Sequence, residues 1–263
     1  MFDHSPVFTE ISDKLGVREW LKRHGIQVRT PDVLWVGLSA QDIPDQVLEG
    51  GVVVKANHGW NMNIFLPKPP EDRAAMNREA DAFLTQTHGD RPLQWGYLGI
   101  DRRLFVERFV EEATSELKVY TFGSHVERVV TIFDRFGEMT ADVWVPDAND
   151  MLKRSAVNAV VGQGAADHPL LECTDEALEI ASQIGAHFDH MRVDFMSDGT
   201  SLWLGELTVY NLTGHFHGVA PHESEILDRA WDIGKSWFLT TPQSGWRKLY
   251  AAALQRRLNA QSA

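Results

Sequence analysis

RVDFMSDGTSLWLGELTVYNLTGH, residues 192–215, decides how this chain is read. Two runs of strand-forming residues flank an Asp198-Gly199 turn signal, and each carries a carboxylate, Asp194 or Glu206, among apolar neighbours. A carboxylate in such surroundings is costly unless its charge is compensated. Arg192, two residues from Asp194 on the same strand face, is one compensation. A divalent cation is another, since hard ions such as Mg2+ take one or two carboxylates together with substrate phosphates. Thr208, Asn211 and Thr213 come after Glu206 with further oxygens. A two-residue turn at Asp198-Gly199 pairs Asp194 with Trp203 and sends Glu206 to the opposite face. The acids share a face only through an odd-length loop or a bulge, and Gly205 is a natural bulge position. The pattern permits a shared ion but does not demand it; an Arg192–Asp194 pair with Glu206 at the rim satisfies it too.

Outward from the hairpin, TDEALEIASQIGAHFD (174–189) predicts a helix capped by Thr174 with acids in its first turn. LKVYTFG (117–123) and HVERVVTIFDRFG (125–137) predict a hairpin turning at Gly123-Ser124. Residues 138–172 read as a long irregular surface segment. Further upstream, VLWVGL (33–38), GVVVKANHG (51–59), MNIFLP (62–67) and RLFVERFV (103–110) are strand candidates, and EDRAAMNREADAFLTQT (71–87) is a helix. TEISDKLGVREWLKRH (9–24) predicts one helix ending at Gly25; ESEILDRAWDIGKSWFL (223–239) and WRKLYAAALQRRLN (246–259) predict helices near the C-terminus. Strands and helices mix without βαβ alternation, which makes the class α+β.

The bulk properties exclude several roles. At 263 residues, 43% hydrophobic and 24% charged, the chain is an ordinary globular protein with ample length for a core. A net charge of -12 argues against sequence-blind nucleic-acid binding, which needs a basic face. A single cysteine, Cys173, rules out an internal disulfide and fits a reducing compartment. MFDHSPVFTEISDK lacks the pattern of a signal peptide, and no apolar run approaches the ~20 residues that cross a bilayer. A cytoplasmic, unanchored protein is expected.

Two further stretches carry candidate chemistry. Lys55 ends an apolar strand before a loop holding His58, Gly59 and Asn61, where a lysine and loop N–H groups can face an anion. No GK[ST] comes after it, so this is not a Walker loop, and a lysine at a strand end is commonly a surface residue. FVERFVEEATSELKVYTF sets Glu107 and Glu116 in a strand–loop–strand context, which by itself reads equally as a solvated acidic loop. His215 and His217 share a strand face, a spacing that suits a transition metal, but no cysteine lies nearby. Trp60 and Trp95 suit sugar stacking, although most of nine tryptophans must be core.

VVVKANHG, WGYLGIDRRLFVERFVEE, ELKVYTFGSHVERVVTIFDRF and MRVDFMSDGTSLWLGELTVY, in this order, resemble the TupA-like ATP-grasp proteins of the teichuronopeptide-biosynthesis type. DKLGVREWL (13–21) is similar to that family's N-terminal helix, and the likeness runs from residue 10 to residue 215. The resemblance implies an ATP-grasp fold in which two α+β subdomains hold ATP between antiparallel sheets. It implies a short N-terminal segment (1–50), a first ATP-binding subdomain (51–110) and a second with the metal-binding hairpin and C-terminal helices (111–263). By the same resemblance Lys55 faces phosphate with His58 beside it, and Glu107, Arg108, Phe109 and Val110 form the adenine linker. Glu116 is implied as the acid that meets the ribose, and Lys118 as the lysine that follows it in the family pattern. Arg135 and Arg192 are implied at the phosphates, and Asp194 and Glu206 at Mg2+. Thr208 stands where many ATP-grasp enzymes have a metal-binding asparagine, with Asn211 as a substitute ligand. The implied reaction is ATP-dependent ligation of a carboxylate to an amine through an acyl phosphate, the acid being a glycan uronate or a small molecule. A phosphotransferase acting on a hydroxyl is the alternative, and a homodimer is compatible with the short N-terminal segment.

Overall fold

The computed structural model describes residues 3–88, 94–134, 137–155, 164–165, 167–209, 211, 227 and 229–261. The N-terminal periodicity is divided between two helices, α1 (Pro6–Ser12) and α2 (Gly16–Arg23), rather than running as one. Asp13 breaks it: its backbone is extended, and its carboxylate accepts the Leu15 N–H at 2.8 Å in place of a helical carbonyl. Gly25, at φ +69°, lies just past the end of α2 as expected of a glycine stop.

A four-stranded antiparallel sheet has the order β1-β4-β2-β3, with β1 Val33–Gly37, β2 Val52–Ala56, β3 Asn63–Leu66 and β4 Leu104–Arg108. Strand alternation divides its faces. Val52, Val54, Ala56, Leu104 and Val106 pack on Met76, Ala80 and Phe83 of helix α3 (Arg73–Phe83), whose N-cap Asp72 accepts the Ala75 N–H. The alternate residues Lys55 and Glu107 point away from that core.

The second sheet has the order β11-β10-β5-β6-β7-β8, with β9 parallel to β7. Its strands are β5 Ser115–Phe122, β6 His125–Phe133, β7 Thr140–Pro146, β8 Leu152–Arg154, β9 Gly164–Ala165, β10 Met191–Ser197 and β11 Leu202–Thr208. Helix α4 (Thr174–Gly185) and the N-terminal helices cover one face, where Phe8, Ile11, Val17 and Trp20 meet Leu117, Val193, Phe195 and Ile184. Cys173, not Thr174, is the N-cap of α4; the Thr174 hydroxyl donates to the Leu171 carbonyl at 2.6 Å.

The segment 138–172 is not irregular throughout, since β7 and β8 extend the sheet. Asp142, fully buried in β7, accepts the His168 N–H at 3.1 Å and faces Arg154 at 3.7 Å. The 223–239 stretch is not one helix either. Asp232 caps a short turn at Ile233–Lys235, and helix resumes at Trp237–Thr240 and again at Gly245–Gln261. His215 and His217 lie outside the described residues. No helix among the described residues is long and apolar enough to cross a membrane.

Candidate nucleotide site between the sheets

The carboxylate hairpin resolves its own register. Ser197 pairs with Leu202 across a four-residue turn, 198–201, in which Asp198 accepts the Thr200 and Ser201 N–H groups and Gly199 takes φ +102°. A regular ladder beyond that turn would place Gly205 opposite Asp194. Instead the ladder slips between Asp194 and Phe195, so Phe195 pairs with Leu204 and Asp194 with Glu206. The core shows the same shift: Leu202, Leu204 and Leu207 all enter one apolar cluster, a spacing of two then three that only a bulge reconciles. Asp194 and Glu206 are therefore cross-strand partners on the face opposite the core.

Asp194 is buried and surrounded by cations. Arg192 grips it with Nε at 2.6 Å and Nη2 at 2.7 Å, and Lys118 Nζ, from the paired position on β5, stands at 3.0 Å. Burial favours the neutral acid, but Lys118 and Arg192 outweigh it and hold Asp194 below the ordinary carboxylate range. Lys118 also meets Glu116 at 3.3 Å; burial lowers its pKa, and Asp194 and Glu116 more than restore it. Arg192 donates further to Thr208 at 3.0 Å and Asn211 at 2.6 Å, so four of its five N–H donors are engaged. The Arg192–Asp194 pair and the shared acid face thus occur together.

Glu206 has a partner that the sequence did not suggest. The Tyr97 hydroxyl, on the short 3-10 helix Trp95–Gly99, donates to Glu206 Oε1 at 3.2 Å. Burial and then Glu206 push the Tyr97 phenol well above its ordinary value, which keeps it a donor. Gly96 brings that turn close to α1: a Cβ there would stand 2.4 Å from Ser12 Oγ and 2.7 Å from the Phe8 carbonyl.

On the facing sheet Lys55 and Arg18 share Glu107. Lys55 Nζ contacts Glu107 Oε1, and Arg18 Nη2 contacts Oε2 at 2.9 Å. Arg18 is tied down by the Thr30 hydroxyl and the Pro31 carbonyl, each at 2.7 Å. Glu107 therefore has two cations, one on each oxygen, and Arg18 alone would still cover it without Lys55.

A cavity of about 670 Å³ lies between the sheets. Lys55, Phe65, the linker residues Arg108, Phe109 and Val110, Glu116 and Met196 line it, and Glu107 reaches it too. Its volume suits a small-molecule site, with apolar walls and a few convergent polar groups. The linker is itself fixed, by Phe109 N–H to the Gly51 carbonyl at 2.9 Å and Ala113 N–H to the Val110 carbonyl at 3.2 Å. His58 does not line this cavity. It is buried behind the lysine loop, with Nε2 3.3 Å from the Gln86 carbonyl, and burial lowers its pKa. Arg135 lies outside the described residues.

The donor set fits a hard divalent ion. Asp194 and Glu206 set two carboxylates on one side, Asp194 with both oxygens already accepting from Arg192 and Lys118. Among the described residues no group of three or more His, Cys, Asp or Glu stands ready to hold a metal. Two acids with substrate oxygens and water is the ordinary Mg2+ arrangement. Asn211 Oδ1 accepts from Arg192, so it would have to leave that bond to ligate.

Two sheets, antiparallel apart from the β7–β9 pair, that meet across a cavity and are joined by a fixed linker define an ATP-grasp fold. The chain belongs to the TupA-like ATPgrasp family, whose model matches residues 3–227. Among solved structures, D-alanine–D-alanine ligase from Bacillus anthracis is similar at TM-score 0.52 and 16% identity, over 89% of this chain and 70% of that one. L-amino acid ligase from Bacillus licheniformis is similar at TM-score 0.49 and 16% identity, over 80% of this chain and 46% of that one. The chain thus spans less than half the length of the second ligase. No curated protein sequence matches the chain.

Proposed function

We propose that this protein is an ATP-dependent carboxylate–amine ligase that releases ADP, with a glycan uronate or small acid as the acid substrate. The single observation that carries the reading is the bulged register that sets Asp194 opposite Glu206, on the strand face shared with Met196, which lines the cavity together with Lys55 from the other sheet. ATP would be the co-substrate, with the linker and Glu116 to hold its base and ribose and Lys55, Lys118 and Arg192 to meet its phosphates. Mg2+ would be held by Asp194 and Glu206 and would offset charge on the phosphate oxygens.

The chain's own side chains then have separable tasks. Lys55 leaves Glu107 for phosphate while Arg18 keeps Glu107 neutralised. Arg192 orients Asp194 through two parallel bonds and has one N–H free among its described contacts. Tyr97 fixes one oxygen of Glu206, and the other has no hydrogen-bond partner among the described residues. A free carboxylate is a poor electrophile because its leaving group would be oxide. Transfer of the γ-phosphoryl group to the acid gives an acyl phosphate, from which an amine displaces phosphate. Alignment and charge neutralisation supply most of the rate.

Incubation with Mg·ATP, candidate acids and hydroxylamine tests the reading. Hydroxamate and ADP are expected. A stable phosphorylated alcohol without hydroxamate supports the phosphotransferase instead, and AMP release removes both.

A further inference from the structure

The cations of the cleft are nearly all committed. Lys55 and Arg18 meet Glu107, Lys118 meets Asp194 and Glu116, and Arg192 meets Asp194. Lys14 differs. It stands in the break between α1 and α2, where its backbone N–H donates to the Asn57 carbonyl at 3.1 Å and its ammonium donates to the Gly59 carbonyl. Among the described residues it has no carboxylate within ion-pair distance. The corner is rigid: the Asn57 amide joins the Asp13 carboxylate at 2.9 Å and the Asp101 carbonyl at 3.0 Å. An ammonium has three donors, and one carbonyl leaves two of them for a ligand.

Position says which ligand. The cavity beside the linker is bounded by Phe109, Ser115 and Met196. Strand β2 runs from there, past Lys55, to the Asn57–Gly59 loop that Lys14 contacts. Ser12, two residues before Lys14, packs against Gly96, and the adjacent Tyr97 donates to Glu206. Lys14 therefore sits beyond Lys55, at the Glu206 end of the cleft. Burial lowers its pKa, Glu206 is the strongest of the charges opposing that, and Lys55 adds to the lowering; an arriving anion would relieve both.

Resting on the ligase reading above, we infer that Lys14 binds the carboxylate of the acid substrate, holding it at the phosphate end of the cleft before phosphoryl transfer. The N-terminal corner DKLGVR thereby supplies the acceptor wall through Lys14 and supports the phosphate lysine through Arg18.

The test is a titration of the full chain, saturated with Mg2+ and a non-hydrolysable ATP analogue, with D-glucuronate as the carboxylate probe. Tryptophan fluorescence reports binding, since Trp60, next to Gly59, is 46% exposed. Lys14→Met is expected to weaken glucuronate by about tenfold or more, with analogue affinity unchanged within about twofold, and Lys14→Arg to recover most of the loss. Three results overturn the inference: glucuronate affinity unchanged in Lys14→Met, analogue affinity falling by the same factor, or a parent protein that binds analogue but no glucuronate. The second would assign Lys14 to the nucleotide phosphates. A parent that binds no Mg-analogue is a different failure, that of the ligase reading itself.

Discussion

Asp194 and Glu206 share a proposed role but differ in how the fold depends on them, and substitution to the isosteric amides separates the two. In Asp194→Asn, the charge that Arg192 and Lys118 contact at 2.6, 2.7 and 3.0 Å is removed. Breaking a buried ion pair by removing one partner costs about 3–5 kcal/mol. Here Lys118 keeps Glu116 at 3.3 Å and Arg192 keeps Thr208 and Asn211, which lowers the expected loss to about 2–4 kcal/mol. In Glu206→Gln, the amide oxygen still accepts the Tyr97 hydroxyl, and no described ion pair is broken. The expected loss is under about 1 kcal/mol. Urea unfolding of the two variants beside the parent measures both quantities, and Mg·ATP turnover with hydroxylamine reads activity. Both variants should lose turnover by orders of magnitude, and only Asp194→Asn should lose its fold margin. Equal stability losses in the two variants, or full turnover in either, would refute the reasoning.

Arg18→Met leaves Glu107 to Lys55 alone, so Lys55 should be held more tightly; KM for ATP should rise by about tenfold with kcat less affected, as steady-state kinetics would show. Asp3 has its pKa raised to about 6, by burial first and by Asp189 second, while its carboxylate accepts the Phe238 N–H at 2.9 Å. A raised carboxyl gives stability that is fully present below its unfolded value and lost as pH rises through about 6. Asp3→Asn keeps the Phe238 bond without the charge, so it should match the parent near pH 3 and exceed it above pH 7 by at most about 3 kcal/mol; thermal melts across that range are the check.

Much of this site is legible along the chain because strand alternation writes it there. Lys55, Glu116, Lys118, Arg192 and Asp194 each occupy the non-core phase of an apolar strand, and Gly205 marks the bulge that brings Glu206 to the same side. What escaped depends on distant partners. Arg18 and Lys14 fall within a run that reads as one helix, because nothing local shows that Asp13 breaks it or that Glu107 and Gly59 wait for them. Nothing local marks Tyr97, whose acceptor is 109 residues away. Strand β7 was obscured by Asp142, a charge in the middle of a short apolar run, whose compensating N–H groups and arginine come from later in the chain.

Nucleotide affinity measured by calorimetry with and without Mg2+, in the parent and in Glu206→Gln, bears most directly on the proposed site. Tight, saturable binding of the ATP analogue that needs Mg2+ in the parent and is weakened by about tenfold or more in the variant is the predicted result. Binding indifferent to Mg2+, or equal in the two proteins, would contradict a metal held between residues 194 and 206.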